Sequence, residues 1–304
     1  MARFIVKRAL NSIIALIGLL VVVFFLARLT GNPASLYLPE TATQEELREF
    51  TAEAGLDQPV LVQFGRYVWD LLHLDFGTSL RAQRPAMLTV LDAFPTTLIL
   101  ASVAMAISIV LSLVIGSFAA ARPTGVFDRV ASTLSLLGAS APDFWIAIMA
   151  ILVFAVSFNL LPTSGSGGIE YWIMPVAVVA IRPVGLMTQV VRGTMISALS
   201  APYVKTARAK GLGRNVILMH ALRTSLLPVI TVAGDFAVGM INGSIIAETV
   251  FGLYGVGKVM IDAILNRDFA VVQSAVLLIA LAIFVLNIVI DVLYALVDPR
   301  IRHS

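Results

Sequence analysis

Long apolar runs dominate this chain and decide what it can fold into. A helix that crosses the hydrocarbon core of a bilayer needs roughly 20 mostly apolar residues, because no water is present there to satisfy backbone N–H and C=O groups. Six stretches meet that requirement: Ala9–Leu29, Thr96–Phe118, Leu134–Phe158, Tyr171–Val191, Leu226–Ile246 and Val272–Val297. The chain is 59% hydrophobic and only 13% charged, whereas a soluble domain carries about a quarter charged residues. The pattern predicts an all-α polytopic membrane protein with six transmembrane helices in a single domain spanning residues 1–304. Arg3, Lys7 and Arg8 ahead of the first run mimic a secretory signal. The run is long and no small-x-small site precedes Thr30, so it is read as a retained span.

The distribution of basic residues orients the chain, since cytoplasmic segments carry the excess of Lys and Arg. With the N-terminus inside, the inner segments hold Arg3, Lys7, Arg8, Arg122, Arg129, Arg192, Lys205, Arg208, Lys210, Arg214, Arg223, Arg300 and Arg302. The outer segments hold only Arg48, Arg66, Arg81, Arg84, Lys258 and Arg267. Both termini are therefore expected on the cytoplasmic side. Residues 31–95 form the largest external segment, and residues 192–225 form a cytoplasmic linker. In the external segment, Thr43 to Phe50 reads as a short helix with Thr43 as N-cap and Glu46 closing a capping box. Val60 to Leu72 reads as an amphipathic helix with Tyr67, Val68, Leu71 and Leu72 resting on the membrane surface. The segment reads either as a contact surface for a delivering protein or as a lid over helix ends. Residues 161–169, rich in Gly and Ser, form a turn between the third and fourth spans.

Within the cytoplasmic linker, Tyr203-Val204-Lys205-Thr206-Ala207-Arg208-Ala209-Lys210-Gly211-Leu212-Gly213 is a basic segment between two apolar spans. As a helix it places Tyr203, Ala207 and Gly211 at i, i+4 and i+8, a face with two small residues, and Gly211 is a natural C-terminal stop. Lys205, Arg208, Lys210 and Arg214 decorate the remainder. Taken alone, the segment is either a docking helix or an ordinary basic loop that holds orientation.

This segment resembles the cytoplasmic EAA loop of bacterial ABC importer permeases, in the form typical of the dipeptide/oligopeptide group. Lys205-Thr206 stands where many other permeases carry Glu-Ala. The likeness extends through His220-Ala221-Leu222-Arg223 with Leu227-Pro228, Glu248-Thr249-Val250-Phe251-Gly252 and Gly255-Val256-Gly257. It continues in Asp291-Val292-Leu293-Tyr294 and Asp298-Pro299-Arg300-Ile301-Arg302. Near the start, Gly55-Leu56-Asp57-Gln58-Pro59 and Gly77-Thr78-Ser79 fit as well. The resemblance implies a type I ABC importer permease, with an external insertion between spans 1 and 2 and a cytoplasmic coupling helix between spans 4 and 5. It also implies a bacterial inner-membrane location and import of di- or oligopeptides by alternating access. Implied partners are a second homologous permease, two ATP-binding subunits that bind ATP and Mg, and an external substrate-binding protein. Tyr203, Lys205, Ala207, Arg208, Gly211, Leu212 and Arg214 would couple this chain to the ATPase. Related permeases also serve nickel chelates, glutathione, opines and some sugars.

No catalytic centre emerges. Gly252 to Val259 nearly spells a phosphate-binding loop, but Val259 lacks the hydroxyl for Mg, no strand precedes it, and the topology puts it outside. His73, His220 and His303 are scattered and form no metal motif, His220 reading as a surface residue. Cysteine is absent, which excludes disulfide and thiol chemistry. No nucleic-acid signature is present. Charged residues within spans cost several kcal/mol unless paired or hydrated. Asp143, Arg182 and Asp235 are such residues, and either aspartate is a candidate ion-pair partner for Arg182. Together with Gln189 and Asn242 they form a candidate translocation path, or else a structural pair between packed helices. Asn242 with Gly239 and Gly243 also suits close helix packing. Asp291 reads as structural. One rival reading is a gradient-driven carrier using Asp143 or Asp235 as a proton-carrying carboxylate; the other is a membrane-embedded enzyme or scaffold, which the missing catalytic constellation disfavours.

Overall fold

The structure, a computed structural model, describes residues 2–29, 38, 42–53 and 55–297. Among these the chain is helical apart from turns and one isolated antiparallel bridge between Thr78 and Pro85. The helices are α1 (Ala2–Leu29), α2 (Gln44–Glu53), α3 (Val60–Leu72), α4 (Ala86–Ala121), α5 (Val126–Ser140) and α6 (Asp143–Ala150). A π-helical segment, Ile151–Ser157, continues α6. Then follow α7 (Glu170–Leu199), α8 (Pro202–Ala209), α9 (Arg214–Phe251), α10 (Val256–Leu265) and α11 (Phe269–Val297). Among the described residues, four helices are long and apolar enough to cross a membrane: Ala86–Ala121, Glu170–Leu199, Arg214–Phe251 and Phe269–Ile290. Residues 126–157 make a fifth candidate as a bent pair, and α1 contributes a shorter apolar stretch, Ile14–Leu26. The closing segment Asp298 to Arg302 and His303 lie outside the described residues.

The chain divides into two compact units. The first comprises residues 1–96 and 254–284. Here Ala86, Val90 and Ala93 of α4 bury against Val256, Val259 and Ala263 of α10 and Val271 and Ala275 of α11. That burial explains why α4 starts at Ala86, ten residues ahead of the expected span. The helix is carried through Pro95 by packing, although the proline forfeits one backbone hydrogen bond. The capping box forms as read: Glu46 N–H donates to Thr43 Oγ1 at 3.3 Å, and Thr43 N–H donates to Glu46 Oε2 at 2.7 Å. α3 spans Val60–Leu72, the residues the amphipathic pattern predicts. Its Tyr67 does not lie free on a surface. Phe64 and Tyr67 turn onto α1, where Tyr67 stacks on Phe24 at 5.3 Å and Phe64 stacks on Phe25 at 5.5 Å. Each such pair contributes about 0.5–1.5 kcal/mol beyond its area. Leu61, Trp69 and Leu72 remain exposed.

The second unit comprises residues 97–253 and 285–304. One cluster gathers Leu100 and Ala104 of α4, Ala147 of α6, Met174 and Val178 of α7, and Met240 and Phe251 of α9. Another joins Ala120, Met187, Val191, Met195, Ala221 and Val229. α5 and α7 cross so closely that a Cβ on Gly185 would stand 2.4 Å from the Ser135 carbonyl oxygen, so only glycine fits there. The third expected span is not straight. It breaks at Ala141-Pro142, where α5 and α6 bend by 105°. Pro142 offers no N–H and biases Ala141 away from helix, and both are extended (ψ 139° and 136°). The linker 192–225 holds little loop, being taken up by the end of α7, α8 and the opening turns of α9.

Candidate functional site

The basic segment folds as α8, an eight-residue helix with Pro202 in its first turn, where a missing N–H costs nothing. Its end is a Schellman motif. Leu212 N–H donates to Ala207 O at 3.2 Å, Gly211 N–H donates to Arg208 O at 2.9 Å, and Gly211 adopts φ +78°. Val204 is buried at 1% exposure and anchors the helix to its own chain. Ala207 is half-buried on the same side, so the small-residue face is only partly free. Tyr203, Lys205, Arg208, Lys210, Gly211 and Leu212 are exposed. A Cβ on Gly211 would meet nothing within 4 Å. The helix therefore presents a cationic surface bounded by one aromatic ring.

Arg214 is committed differently. Its Nη2 donates to Ala121 O at 2.9 Å, placing a cation on the last carbonyls of α4. It ties the start of α9 to the end of α4, and the residue stays exposed. His220 is exposed, as expected, with Nδ1 2.8 Å from Val216 O.

The expected ion pair does not form. Among the described residues no carboxylate lies within 4 Å of Arg182. Arg182 Nε donates to Ala139 O at 3.3 Å, at the C-terminal end of α5. Asp143 begins α6, and its Oδ1 is buried without a hydrogen-bond partner. The two charges thus serve opposite helix ends at the 105° break, a cation on carbonyls and an anion at an N-terminus. Gln189 donates to Ser132 O at 3.5 Å and is half-buried between α7 and α5. Asp235 and Asn242 stay exposed on α9. With Thr231, Gly239 and Thr249 they fall on one stripe at helical spacing. Gly239 and Gly243 have open space where a Cβ would be, with nothing within 4 Å among the described residues.

One pair escaped the sequence reading. Asp128, 3% exposed, accepts from Arg192 Nε and Nη2, the latter at 2.8 Å, and from Thr124 N–H at 2.8 Å. The bidentate fork ties the first turn of α5 to α7, about two helical turns before the turn into α8. The residues are 64 apart in sequence, and both Arg192 and Arg129, which follows Asp128, read as orientation signals. The available clue was a lone acid beside a span among arginines.

The near phosphate-binding loop is preceded by a helix, not a strand. Gly252 (φ +67°) caps α9, and Lys258 Nζ lies 3.2 Å from the Asp262 carboxylate one turn on.

Residues 112–303 match the family described as binding-protein-dependent transport system inner membrane component, and residues 1–101 match the corresponding N-terminal family. The chain belongs to this family. It is a multi-pass inner-membrane component of a binding-protein-dependent transport system. Full-length relatives include the dipeptide transport system permease protein of Escherichia coli (strain K12), 33% identical over 338 residues. The oligopeptide transport system permease protein of Haemophilus influenzae is 37% identical over 308 residues. In both cases 100% of each chain is covered. A crystal structure of an amino acid ABC transporter with histidines shares the fold at TM-score 0.53 and 18% identity, covering 70% of this chain and 94% of that one.

Proposed function

We propose that this chain is one of two homologous permease subunits in an ATP-driven importer of di- or oligopeptides. The observation that carries the reading is α8: a short, capped, cationic helix set between two long apolar helices and left open to a partner. The names borne by the full-length relatives in Escherichia coli and Haemophilus influenzae support the cargo class. In this account α1, α4, the bent α5–α6 pair, α7, α9 and α11 make six spans, and both chain ends face the cytoplasm. The whole chain works as one membrane domain, with residues 31–95 outside.

α8 docks in a groove of an ATP-binding subunit, Lys205 and Arg208 meeting acidic groups there and Tyr203 supplying apolar contact. ATP and Mg bind to that subunit, and this chain has no ATPase site of its own. Closure of two ATP-binding subunits moves α8, and the rigid turn into α7, held by Asp128 and Arg192, passes the motion to the spans. A charged and polar stripe is expensive against lipid. The Asp235, Gly239 and Asn242 face of α9 is therefore assigned to the translocation path, where an external binding protein releases its cargo, with Asp143 and Arg182 near the break of the third span.

The test is purification of the tagged chain in mild detergent, with mass spectrometry of everything retained. A second permease and ATP-binding subunits at fixed stoichiometry are expected. A chain that purifies alone and transports in proteoliposomes lacking any ATPase would overturn the proposal.

A further inference from the structure

A cavity of about 340 Å³ lies within the first unit, between the end of α1, α3, the turn before α4 and the first residues of α11. That is the small end of the range of roughly 300–1,000 Å³ typical of small-molecule sites. Its inner wall carries donors beside apolar Phe269 and Ala270. Arg28 is held in place from several sides: Nε donates to Gln63 Oε1 at 3.2 Å, and the guanidinium lies over the rings of Phe24 at 4.2 Å and Phe269 at 4.9 Å. Its Nη1 is nonetheless buried without a hydrogen-bond partner. Gln273 also lines the cavity. It is 8% exposed, and its Nε2 is likewise buried and unpartnered. A buried donor left unpaired is costly, and here two of them border one cavity. Tyr67 adds a phenol beside them. Burial pushes its pKa up, against the pull of Arg28, so it stays protonated.

The outer edge has the opposite character. Glu53 and Asp75 are exposed there and Asp70 is half-buried, with Arg66 the single cation among them. Asp75 Oδ1 accepts from Gly77 N–H at 2.9 Å, which sets its carboxylate at the turn. Donors inside and carboxylates at the mouth match a molecule with an anionic and a cationic end.

We propose that this cavity binds a small zwitterion of the amino-acid or short-peptide class, Arg28 and Gln273 donating to its carboxylate while Glu53, Asp70 and Asp75 face its ammonium group. The site is separate from the α9 stripe in sequence and in chemistry. That its ligand is cargo rests on the peptide-import reading, whereas the binding chemistry does not.

The experiment therefore uses the full chain in lipid nanodiscs, without ATP, ATPase or binding protein, and titrates it calorimetrically with Ala-Ala, Ala-Ala amide, N-acetyl-Ala-Ala and N-acetyl-aspartate amide. Saturable binding of Ala-Ala is expected. Loss of either charged end of the peptide weakens it by about tenfold to a hundredfold, the worth of one hydrogen bond to a charged group. Gln273→Leu keeps the side-chain volume and weakens Ala-Ala by about tenfold. Arg28→Met does so by more, while Asp92→Asn, outside the cavity, changes nothing. Helical circular dichroism confirms that each variant is folded. Equal binding of Ala-Ala and its amide, unchanged binding in Gln273→Leu, or no saturable binding to the folded chain would each overturn the proposal. N-acetyl-aspartate amide binding as tightly as Ala-Ala would overturn it too, by showing a site for a carboxylate alone, such as a protein side chain. Binding that stands while no ATPase co-purifies would leave the cavity intact and fault only the importer reading.

Discussion

Replacing Asp128 tests the joint that is assigned to carry motion from α8 into the spans. Asp128 accepts two hydrogen bonds from the Arg192 fork and one from Thr124 N–H, and it is 3% exposed. Removing one partner of a buried pair costs about 3–5 kcal/mol, because the other charge is left desolvated. Arg192 keeps 27% of its side chain exposed, so water recovers part of that cost. Asp128→Ala is therefore expected to destabilise the folded chain by about 2–4 kcal/mol. Asp128→Asn keeps the shape and the acceptor for Thr124 N–H and costs about 1–2 kcal/mol. Arg192→Lys keeps the charge but loses the fork, at a similar cost. The double variant Asp128→Ala/Arg192→Ala should fall short of the summed single effects by about 1.5–3 kcal/mol, within the range of coupled neighbours. The assay is denaturant unfolding in mild detergent followed by circular dichroism, with substrate-stimulated ATPase measured on the assembled complex. Variants that retain the fold should lose stimulation of the ATPase more than they lose assembly. Single variants within about 0.5 kcal/mol of the parent, or strictly additive effects, would refute the reasoning, since surface pairs behave that way.

Three further outcomes follow from the geometry. Gly211→Ala places a Cβ on a residue at φ +78°, so α8 should lose about 1–2 kcal/mol of local stability, read as faster amide exchange at Gly211 and Leu212, with assembly weakened in step. Gly185→Leu drives a side chain into the Ser135 carbonyl and should abolish the folded state, whereas Gly193→Ala, with open space at its Cβ, should be tolerated; thermal melts of both distinguish a close crossing from a merely small residue. The Thr43 N–H and hydroxyl hold Glu46 below the ordinary glutamate value of 4.5, so the α2 cap is fully present above that pH and is lost as pH falls through the lowered value. Carbon-detected NMR titration should show the Glu46 midpoint rising toward 4.5 in Thr43→Val, and an unchanged midpoint would contradict the capping box.

What could be read from the residues alone was local. The Thr43–Glu46 box, the extent of α3 and the Gly211 stop each depend on side chains within four residues of one another, and each appears as expected. The long-range features were less legible. Pro142, lacking an N–H, accounts for a break, but the 105° bend depends on two successive extended residues and on how α5 and α6 pack on α7. The charges on Asp143 and Arg182 invited pairing with each other, yet helix ends are charged too, and a 3.3 Å bond to Ala139 O satisfies Arg182 without a carboxylate. Arg214 likewise spends a donor on Ala121 O, 93 residues away, a bond that the sequence around it does not show. The Asp128–Arg192 pair leaves no local trace, since nothing in the sequence links residues 64 apart.

The central claim is that α8 seats in an ATP-binding subunit, and the exposed Tyr203 is the place to test it. A photo-crosslinking amino acid at position 203 is expected to capture one protein from intact membranes, and that protein should bind ATP. The same probe at position 61, on the exposed side of α3, should not capture it. Capture of no protein from position 203, or of a protein on the external side of the membrane, would contradict the account.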